Sequence, residues 1–187
     1  MRVVLTAGYL APSKIMWPLS HELNKRGHQT SIFSYTSHKG DFTAHAQALA
    51  QHVSEFVGES PFVLIGHSLG GLLTHAAVPL LPRAPDRLIF IATPHNGCEL
   101  AQKARKAMYA PLFTGPARHT AHGVNLGHHG ISTGTIFGRK DKIVTPEEAV
   151  LPEIPALGVP YGHSELLLRK HTARAVARFV DTGAFEE

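Results

Sequence analysis

The chain has little cysteine, little charge and no long uninterrupted apolar run. Its 187 residues include one cysteine, Cys98, which excludes an internal disulfide framework. Charged residues make up 17% and hydrophobic residues 43%, a balance that favours a folded domain over a disordered chain. The net charge of +4 is mild and lacks the clustering typical of nucleic-acid-binding proteins. We therefore expect no nucleic-acid partner.

The most apolar part of the chain is an uncharged stretch of 23 residues, 60–82. It has the length of a membrane span, but polar side chains, glycines and Pro79 interrupt it, so we expect no stable membrane insertion. The apolar run at the amino terminus is short and is broken by Gly8, Pro12 and Lys14, which disfavours a signal peptide. These features predict a cytoplasmic protein.

Apolar runs alternate with helical patterns along the chain, which predicts an α/β fold. Strands are predicted near residues 3–6, 30–35, 62–65, 87–92, 132–137 and 154–157. Helices are predicted over about residues 13–26, 42–57, 69–80 and 165–180, with Ser13 and Asp41 as caps and Gly27 ending the first. Because strands separated by helices pair in parallel, we expect about six mostly parallel strands with helices on both faces.

The whole chain, residues 1–187, is predicted to form one domain, and its segment 96–131 fits this pattern least well. It begins with a helical pattern over residues 99–108 and then shows little periodicity among several glycines and prolines. We interpret it either as a mobile flap over the functional site or as irregular structure.

A glycine-rich hexapeptide follows the third predicted strand and opens the next helix. Its sequence is Gly66-His67-Ser68-Leu69-Gly70-Gly71. Glycines two residues either side of Ser68 have no Cβ to collide across a sharp strand-to-helix turn. Such a turn lifts the serine hydroxyl above the carboxyl ends of the strands, at the N-terminus of a helix that favours negative charge. The pattern predicts that Ser68 is a nucleophile.

A second motif, Ala92-Thr93-Pro94-His95-Asn96-Gly97, follows the next strand. Together with the serine motif it resembles the α/β-hydrolase family, in particular small lipases and esterases with little or no cap domain. The order of elements matches from Arg2 to about Val180. The resemblance implies a minimal α/β-hydrolase fold and a serine hydrolase that cleaves carboxylic esters through an acyl-enzyme intermediate. Its substrate would be a small acyl ester or a lipid, and no cofactor is implied.

In that family the nucleophile is followed along the chain first by an acid and then by a histidine. The segment Gly138-Arg139-Lys140-Asp141 resembles the family's acid turn, and Gly162-His163 resembles its histidine segment. The resemblance thus implies that His163 is the base and that Asp141 orients it. Asp86 and Asp181 are rivals for the acid, but Asp86 precedes its strand and so falls at the wrong edge of the sheet.

The same resemblance implies an oxyanion hole formed by two backbone N–H groups. One would come from Leu69, directly after the nucleophile, and the other from Tyr9 in the loop after the first strand, with Leu10 as the alternative. Many small lipases have His-Gly in this loop, whereas this chain has Ala7-Gly8. His95, Leu10 and His67 are further residues predicted near the pocket. For His67 we expect a packing or hydrogen-bonding role and not that of a second base.

Fourteen histidines are many for a chain of this length, and four of them are close together. These are His119, His122, His128 and His129. The spacing of the first two suits a shared metal on a helix, but the segment has weak helical character and no acidic ligand nearby. We therefore predict no metal site.

Three alternatives remain open at this point. The same three residues would also serve a thioesterase or an acyltransferase, because pocket shape rather than fold decides the substrate. A hydrolase-like fold can also persist as a non-catalytic binding protein. Finally, basic residues on two predicted helices would form a patch for anionic surfaces, although a solvated helix face is the commoner explanation.

Overall fold

The six strands pair in parallel throughout the sheet. The computed structural model describes residues 1–106, 115–122 and 130–185. The strands are β1 (Arg2–Thr6), β2 (Gln29–Phe33), β3 (Phe62–His67), β4 (Arg87–Ile91), β5 (Ser132–Gly138) and β6 (Ala156–Val159). Their order across the sheet is β2-β1-β3-β4-β5-β6. The predicted fold class, a minimal parallel α/β sheet, is confirmed.

Helices cover both faces of this sheet, as expected. The described α-helices are α1 (Trp17–Lys25), α2 (Phe42–Val57), α3 (Leu69–Ala77), α4 (Glu99–Lys106), α5 (Pro146–Ala149) and α6 (Lys170–Thr182). Because side chains alternate along a strand, β1 contributes to two cores. Val3 and Leu5 pack with side chains of α1 and α6, and Val4 packs with those of α2 and α3.

The order of the strands places a topological switch point between β1 and β3. The chain leaves β1 toward the face of α1 and leaves β3 toward the face of α3. Loops that diverge in this way open a crevice beyond the carboxyl ends of the strands, which is where open α/β sheets bind ligands. Ser68 follows β3 at this crevice, and the loop of Gly8 and Tyr9 follows β1.

Two helix starts differ from the sequence-based expectation. Ser13 does not cap the first helix, because residues Ser13–Met16 form a separate 3-10 turn and α1 begins at Trp17. Pro18 lacks the N–H that would continue the helical ladder from that turn, so the α-helix starts beside it. Asp41, in contrast, caps α2 as predicted, since its Oδ2 accepts the Ala44 N–H at 3.0 Å.

The carboxyl-terminal part of the sheet also departs from the prediction in detail. β6 starts two residues later than expected, after Pro155, whose carbonyl accepts the Thr135 N–H at 2.9 Å but which has no N–H to donate to a ladder. The last helix is divided by the extended residue Arg169 into a 3-10 turn, Glu165–Leu168, and α6.

The segment 96–131 is partly regular where it is described. It contains α4, as the helical pattern predicted, and a 3-10 turn at Gly115–Ala121. Residues 107–114 and 123–129 lie outside the described residues, so the flap stays a prediction, as does the assignment of the whole chain to one domain. Across the described parts of the chain, no helix has the length and apolarity that a membrane crossing requires.

Candidate functional site

Ser68 has a strained backbone at the junction of β3 and α3. Its φ of 54° lies in the left-handed region that residues with a Cβ rarely adopt. Its N–H donates to the Ile91 carbonyl at 2.9 Å, which ties the turn to β4. A Cβ on Gly66 would lie 2.4 Å from the Gly71 Cα, so only glycine fits at this position of the turn. A Cβ on Gly70 would lie 2.3 Å from the Ala7 carbonyl oxygen, directly after β1. The predicted collision across the turn is therefore confirmed for Gly66, whereas Gly70 is required for the close approach of the turn to the end of β1.

His163 reaches Ser68 from the loop that follows β6. Its Nε2 is 3.0 Å from the Ser68 Oγ, and its Nδ1 is 2.7 Å from Asp141 Oδ2. An ionised carboxylate only accepts hydrogen bonds, so Nδ1 carries the proton and Nε2 is left to accept the serine hydroxyl. The structure thus brings together three residues that are separated along the sequence.

Asp141 is fully buried at its side chain, in the turn after β5. Its second oxygen, Oδ1, accepts the backbone N–H groups of Ile143 at 2.8 Å and Val144 at 3.0 Å. A buried charge is tolerated where hydrogen bonds satisfy it, and these donors also fix the plane of the carboxylate. The backbone of its own turn therefore orients the Asp141 carboxylate, independently of its hydrogen bond to His163.

The two rival acids lie elsewhere. Asp86 Oδ2 accepts the Phe62 N–H at 2.8 Å, at the amino end of β3. Asp181 lies on α6, where its carboxylate is 2.9 Å from His28 Nε2 and 3.1 Å from Arg26 Nη1. Neither carboxylate is placed to contact His163 as Asp141 does.

The loop after β1 lies directly against Ser68. A Cβ on Gly8 would be 2.8 Å from the Ser68 Cβ, so the backbone here approaches the serine closely. The Leu10 N–H donates to the Ser37 Oγ at 2.8 Å, and Leu10 itself has a φ of 51°. Because Ser37 occupies this donor, the alternative oxyanion donor at Leu10 is disfavoured. The Leu69 N–H belongs to the first turn of α3, where N–H groups have no partner within the helix.

A cavity of about 270 Å³ opens beside Ser68 and His163. Its other described lining residues are Tyr9, Pro94, Cys98, Leu100, Ala101, Thr120, Ile143, Val144 and Ser164. Most of this wall is apolar, and Leu100 and Ile143 are about half exposed at 49% and 45%. The site therefore combines a hydrogen-bonded serine with space for an apolar group.

Three residues predicted near the pocket do not belong to this wall as far as the structure describes it. Leu10 is 62% exposed on the surface. His67 is buried, and its Nε2 donates to the His163 carbonyl at 3.0 Å, in agreement with a hydrogen-bonding role. His95 is buried edge-on against Phe90, with ring centroids 4.7 Å apart.

The histidine cluster is only partly described. His119 stacks on Phe42 with ring centroids 4.1 Å apart, whereas His128 and His129 lie outside the described residues. Within the described ranges, no three histidine, cysteine or acidic side chains are grouped as metal ligands.

Sequence reasoning missed the contacts that join the segment after β4 to the acid turn. The Cys98 Sγ donates to the Ile143 carbonyl at 3.1 Å, and the carboxylate of Glu148 accepts the N–H groups of Glu99 at 2.6 Å and Thr145 at 2.8 Å. The capping-box pattern Thr145-Pro146-Glu147-Glu148 was the available signal for α5. Nothing in the sequence, however, indicated that Glu148 would also hold Glu99.

Over residues 3–183 the sequence matches the model of the alpha/beta hydrolase family. The chain belongs to the alpha/beta hydrolase family. No curated protein sequence matches it. Family membership and the structural neighbours of this alpha/beta hydrolase support hydrolase activity.

Three solved structures show the same fold at low sequence identity. A Bacillus licheniformis lipase in mature form is 15% identical with a TM-score of 0.77, covering 98% of this chain and 91% of the lipase. A pyrethroid hydrolase from Sphingobium faniae is 16% identical with a TM-score of 0.72, covering 97% and 98%. A thioesterase from the prodiginine biosynthetic pathway of Streptomyces coelicolor is 15% identical with a TM-score of 0.67, covering 97% and 85%. At these identities the likeness shows the fold of this alpha/beta hydrolase and does not show its substrate.

Replacement of Gly70 by alanine should destabilise the protein. The new Cβ would meet the backbone carbonyls of Ala7 and Thr6 at 2.3 and 2.5 Å, and backbone cannot move aside as a side chain can. We expect Gly70→Ala to lower the free energy of unfolding by about 1–3 kcal/mol or more, measured by urea denaturation. Gly162→Ala is the control, since its Cβ would meet nothing closer than 3.8 Å. Equal stability of the two variants would contradict the steric account.

Burial of His95 should make the protein acid-labile. Neither ring nitrogen has a hydrogen-bond partner among the described residues, and burial lowers the pKa of His95 to about 3. The unfolded chain, with a histidine pKa near 6.5, then binds more protons than the folded one as the pH falls from 6.5 towards 3. The free energy of unfolding therefore falls as the pH is lowered from 6.5 towards 3, by up to about 1.4 kcal/mol per pH unit for each such histidine.

Urea denaturation at several pH values checks this expectation. His95→Leu should flatten the dependence of unfolding free energy on pH between neutrality and pH 4, relative to wild type. His21→Leu, at an exposed position on α1, should leave the slope unchanged. An unchanged slope in His95→Leu would contradict this expectation, because it would mean that His95 binds protons equally in the folded and unfolded states.

Proposed function

We propose that this chain is a serine hydrolase that cleaves carboxylic esters, with Ser68 as nucleophile, His163 as general base and Asp141 as its orienting acid. One observation carries the proposal: the continuous chain of hydrogen bonds from Asp141 through His163 to Ser68, with distances of 2.7 and 3.0 Å, at the mouth of an apolar cavity. A serine hydroxyl is a weak nucleophile unless a base lies beside it, and this arrangement supplies one.

The reaction would begin with attack of Ser68 Oγ on the acyl carbon, while its proton moves to His163 Nε2. The buried carboxylate of Asp141 stabilises the imidazolium that forms. His163 then gives the proton to the departing alkoxide, which leaves as an alcohol and so produces an acyl-enzyme. Water gives a proton to the same nitrogen and attacks the acyl carbon of this intermediate. The Ser68 Oγ then leaves, takes that proton back from His163, and the carboxylic acid is released. The protein groups alone account for each proton transfer.

We assign the oxyanion hole to the backbone N–H groups of Leu69 and Tyr9. Leu69 supports this assignment because it opens α3, whose N-terminus favours developing negative charge. Tyr9 supports it because its loop contacts Ser68 through Gly8 and its residue lines the cavity. The Ser37 hydroxyl holds the neighbouring Leu10 N–H, which leaves Tyr9 as the preferred donor.

The size and lining of the cavity favour an apolar acyl group. An apolar cavity of about 150 Å³ accommodates a benzene-sized molecule. The cavity beside Ser68, of about 270 Å³, is larger than this and would hold a short to medium acyl group. The substrate class we propose is therefore a neutral ester with a short to medium acyl chain.

The thioesterase alternative rests on the same residues, and one structural neighbour is a thioesterase. The acyl half of a thioester is identical to that of an ester, so the cavity does not separate the two. The non-catalytic alternative is less well supported. A strained serine such as Ser68 costs about 1–3 kcal/mol, and strain of this kind is concentrated at functional sites.

Covalent labelling tests the nucleophile and its partners. A fluorophosphonate should modify Ser68, as mapped by mass spectrometry, because this hydroxyl is the one activated by a base. Ser68→Ala and His163→Ala should lower kcat on a short-chain nitrophenyl ester by about 10⁴-fold or more, and Asp141→Asn by a smaller factor.

A second aspartate–histidine pair provides the matched control for these variants. Asp181 contacts His28 at 2.9 Å, a geometry like that of Asp141 and His163, but away from the cavity. Asp181→Asn should therefore leave kcat unchanged. Labelling of folded protein at another residue, or normal turnover by Ser68→Ala, would refute the assignment.

A panel of esters, thioesters and anilides, from acetyl to palmitoyl, tests the substrate class. We expect kcat/KM to be highest for esters with acyl groups of about four to eight carbons, which fill the cavity. Ala101 lines the cavity and is 3% exposed, so Ala101→Leu should shift the optimum to shorter chains. Ala48→Leu, on the exposed face of α2, is its control. If kcat/KM is higher for thioesters than for the matched esters, the proposed activity would be thioester hydrolysis and not ester hydrolysis.

A further inference from the structure

His67, the residue directly before Ser68, contacts His163, the proposed base of the hydrogen-bonded chain. Its side chain is 1% exposed at the end of β3, and its Nε2 is 3.0 Å from the backbone carbonyl oxygen of His163. The two imidazole rings also pack together, with centroids 4.8 Å apart and planes inclined by 47°. His67 thus touches the loop that carries His163 without lining the cavity.

The direction of this hydrogen bond defines the state of the ring. A carbonyl oxygen only accepts, so Nε2 of His67 carries the proton and donates. Among the described residues, Nδ1 has no hydrogen-bond partner and lies where a Cβ on Gly8 would approach within 3.0 Å. Burial lowers the pKa of His67 to about 3, so the ring is neutral in ordinary buffers. A neutral ring does not oppose a positive charge on His163.

Two further hydrogen bonds of the backbone in the loop of His163 lead to segments other than β3. The Lys140 N–H donates to the Tyr161 carbonyl at 3.2 Å, and the Gly162 N–H donates to Glu165 at 3.2 Å. These bonds connect the loop to the acid turn and to its own following turn. The bond from His67 connects the loop of His163 to β3, the strand that directly precedes Ser68.

We propose that His67 is a positioning residue, whose imidazole N–H holds the backbone of His163 so that its side chain meets Ser68 in reacting geometry. This inference rests on the proposed roles of Ser68 and His163. It makes the separation between nucleophile and base depend on a second hydrogen bond that takes no part in proton transfer. A displacement of about 1 Å at such a site can lower the rate by about 100-fold.

Two substitutions separate the hydrogen bond from the packing of the ring. His67→Gln keeps an N–H group at about the position of Nε2, whereas His67→Met fills similar space without a donor. With the short-chain ester, His67→Met should lower kcat by about 10- to 100-fold with little change in KM, because His67 does not line the cavity. His67→Gln should retain most of the wild-type kcat.

His52→Met is the control for loss of a hydrogen bond made by a partly buried histidine. His52 lies on α2, and its Nε2 is 2.8 Å from the hydroxyl of Ser31 on β2. This variant should keep the wild-type kcat. Circular dichroism and urea denaturation establish that each variant is folded. If His67→Met does not fold, His67→Asn takes its place, because the shorter amide stops short of the His163 carbonyl, and it should be slower than His67→Gln.

The outcomes distinguish the two levels of inference. An inactive wild-type protein that fluorophosphonate does not label would refute the proposed function itself. An active wild type with equal kcat values for His67→Gln and the donor-free variant would refute the positioning role alone. A fall in activity that appears wholly in KM would also overturn it, because a residue that orients the base acts on turnover.

Discussion

The close approach of the β3–α3 turn to β1 is the constraint on which the site depends. Gly70 lies against the carbonyl of Ala7, and no side chain would fit between the two segments. This contact holds the start of α3 next to the loop after β1, and Ser68 between β3 and α3 has a φ of 54°. Close packing of backbone thereby places the serine, the helix N-terminus and the Tyr9 loop beside one another.

Strained backbone occurs after three adjacent strands at this edge of the sheet. In the described part of the chain, three non-glycine residues have positive φ: Leu10, Ser68 and Ala92. They lie beyond β1, β3 and β4, which are adjacent in the sheet. Hydrogen bonds hold each of them: Leu10 to Ser37, Ser68 to Ile91 and Ala92 to Ile136. Backbone of this kind persists because its surroundings determine it from several sides, and it marks the edge at which the cavity opens.

The opposite wall of the cavity is assembled by polar contacts between segments distant in sequence. Glu148 joins the start of α4 to the turn before α5, and Cys98 holds the carbonyl of Ile143. Because the Ile143 N–H also donates to Asp141, the cysteine contacts the same turn that orients the acid. The single cysteine of the chain is therefore buried in this wall of the cavity.

Local patterns in the sequence were sufficient for the parallel α/β class, for the turn at Ser68 and for Asp41 as a helix cap, since periodicity, glycine spacing and capping act over a few residues. Asp141 and His163 could be named through family resemblance, and their meeting with Ser68 was expected from strand ends sharing one edge. The tertiary structure decided the remaining features: where β6 begins, the hydrogen bond from the Leu10 N–H to Ser37, and the contacts of His67 and Glu148. Each of these depends on distances between segments far apart in the chain, which no local pattern encodes.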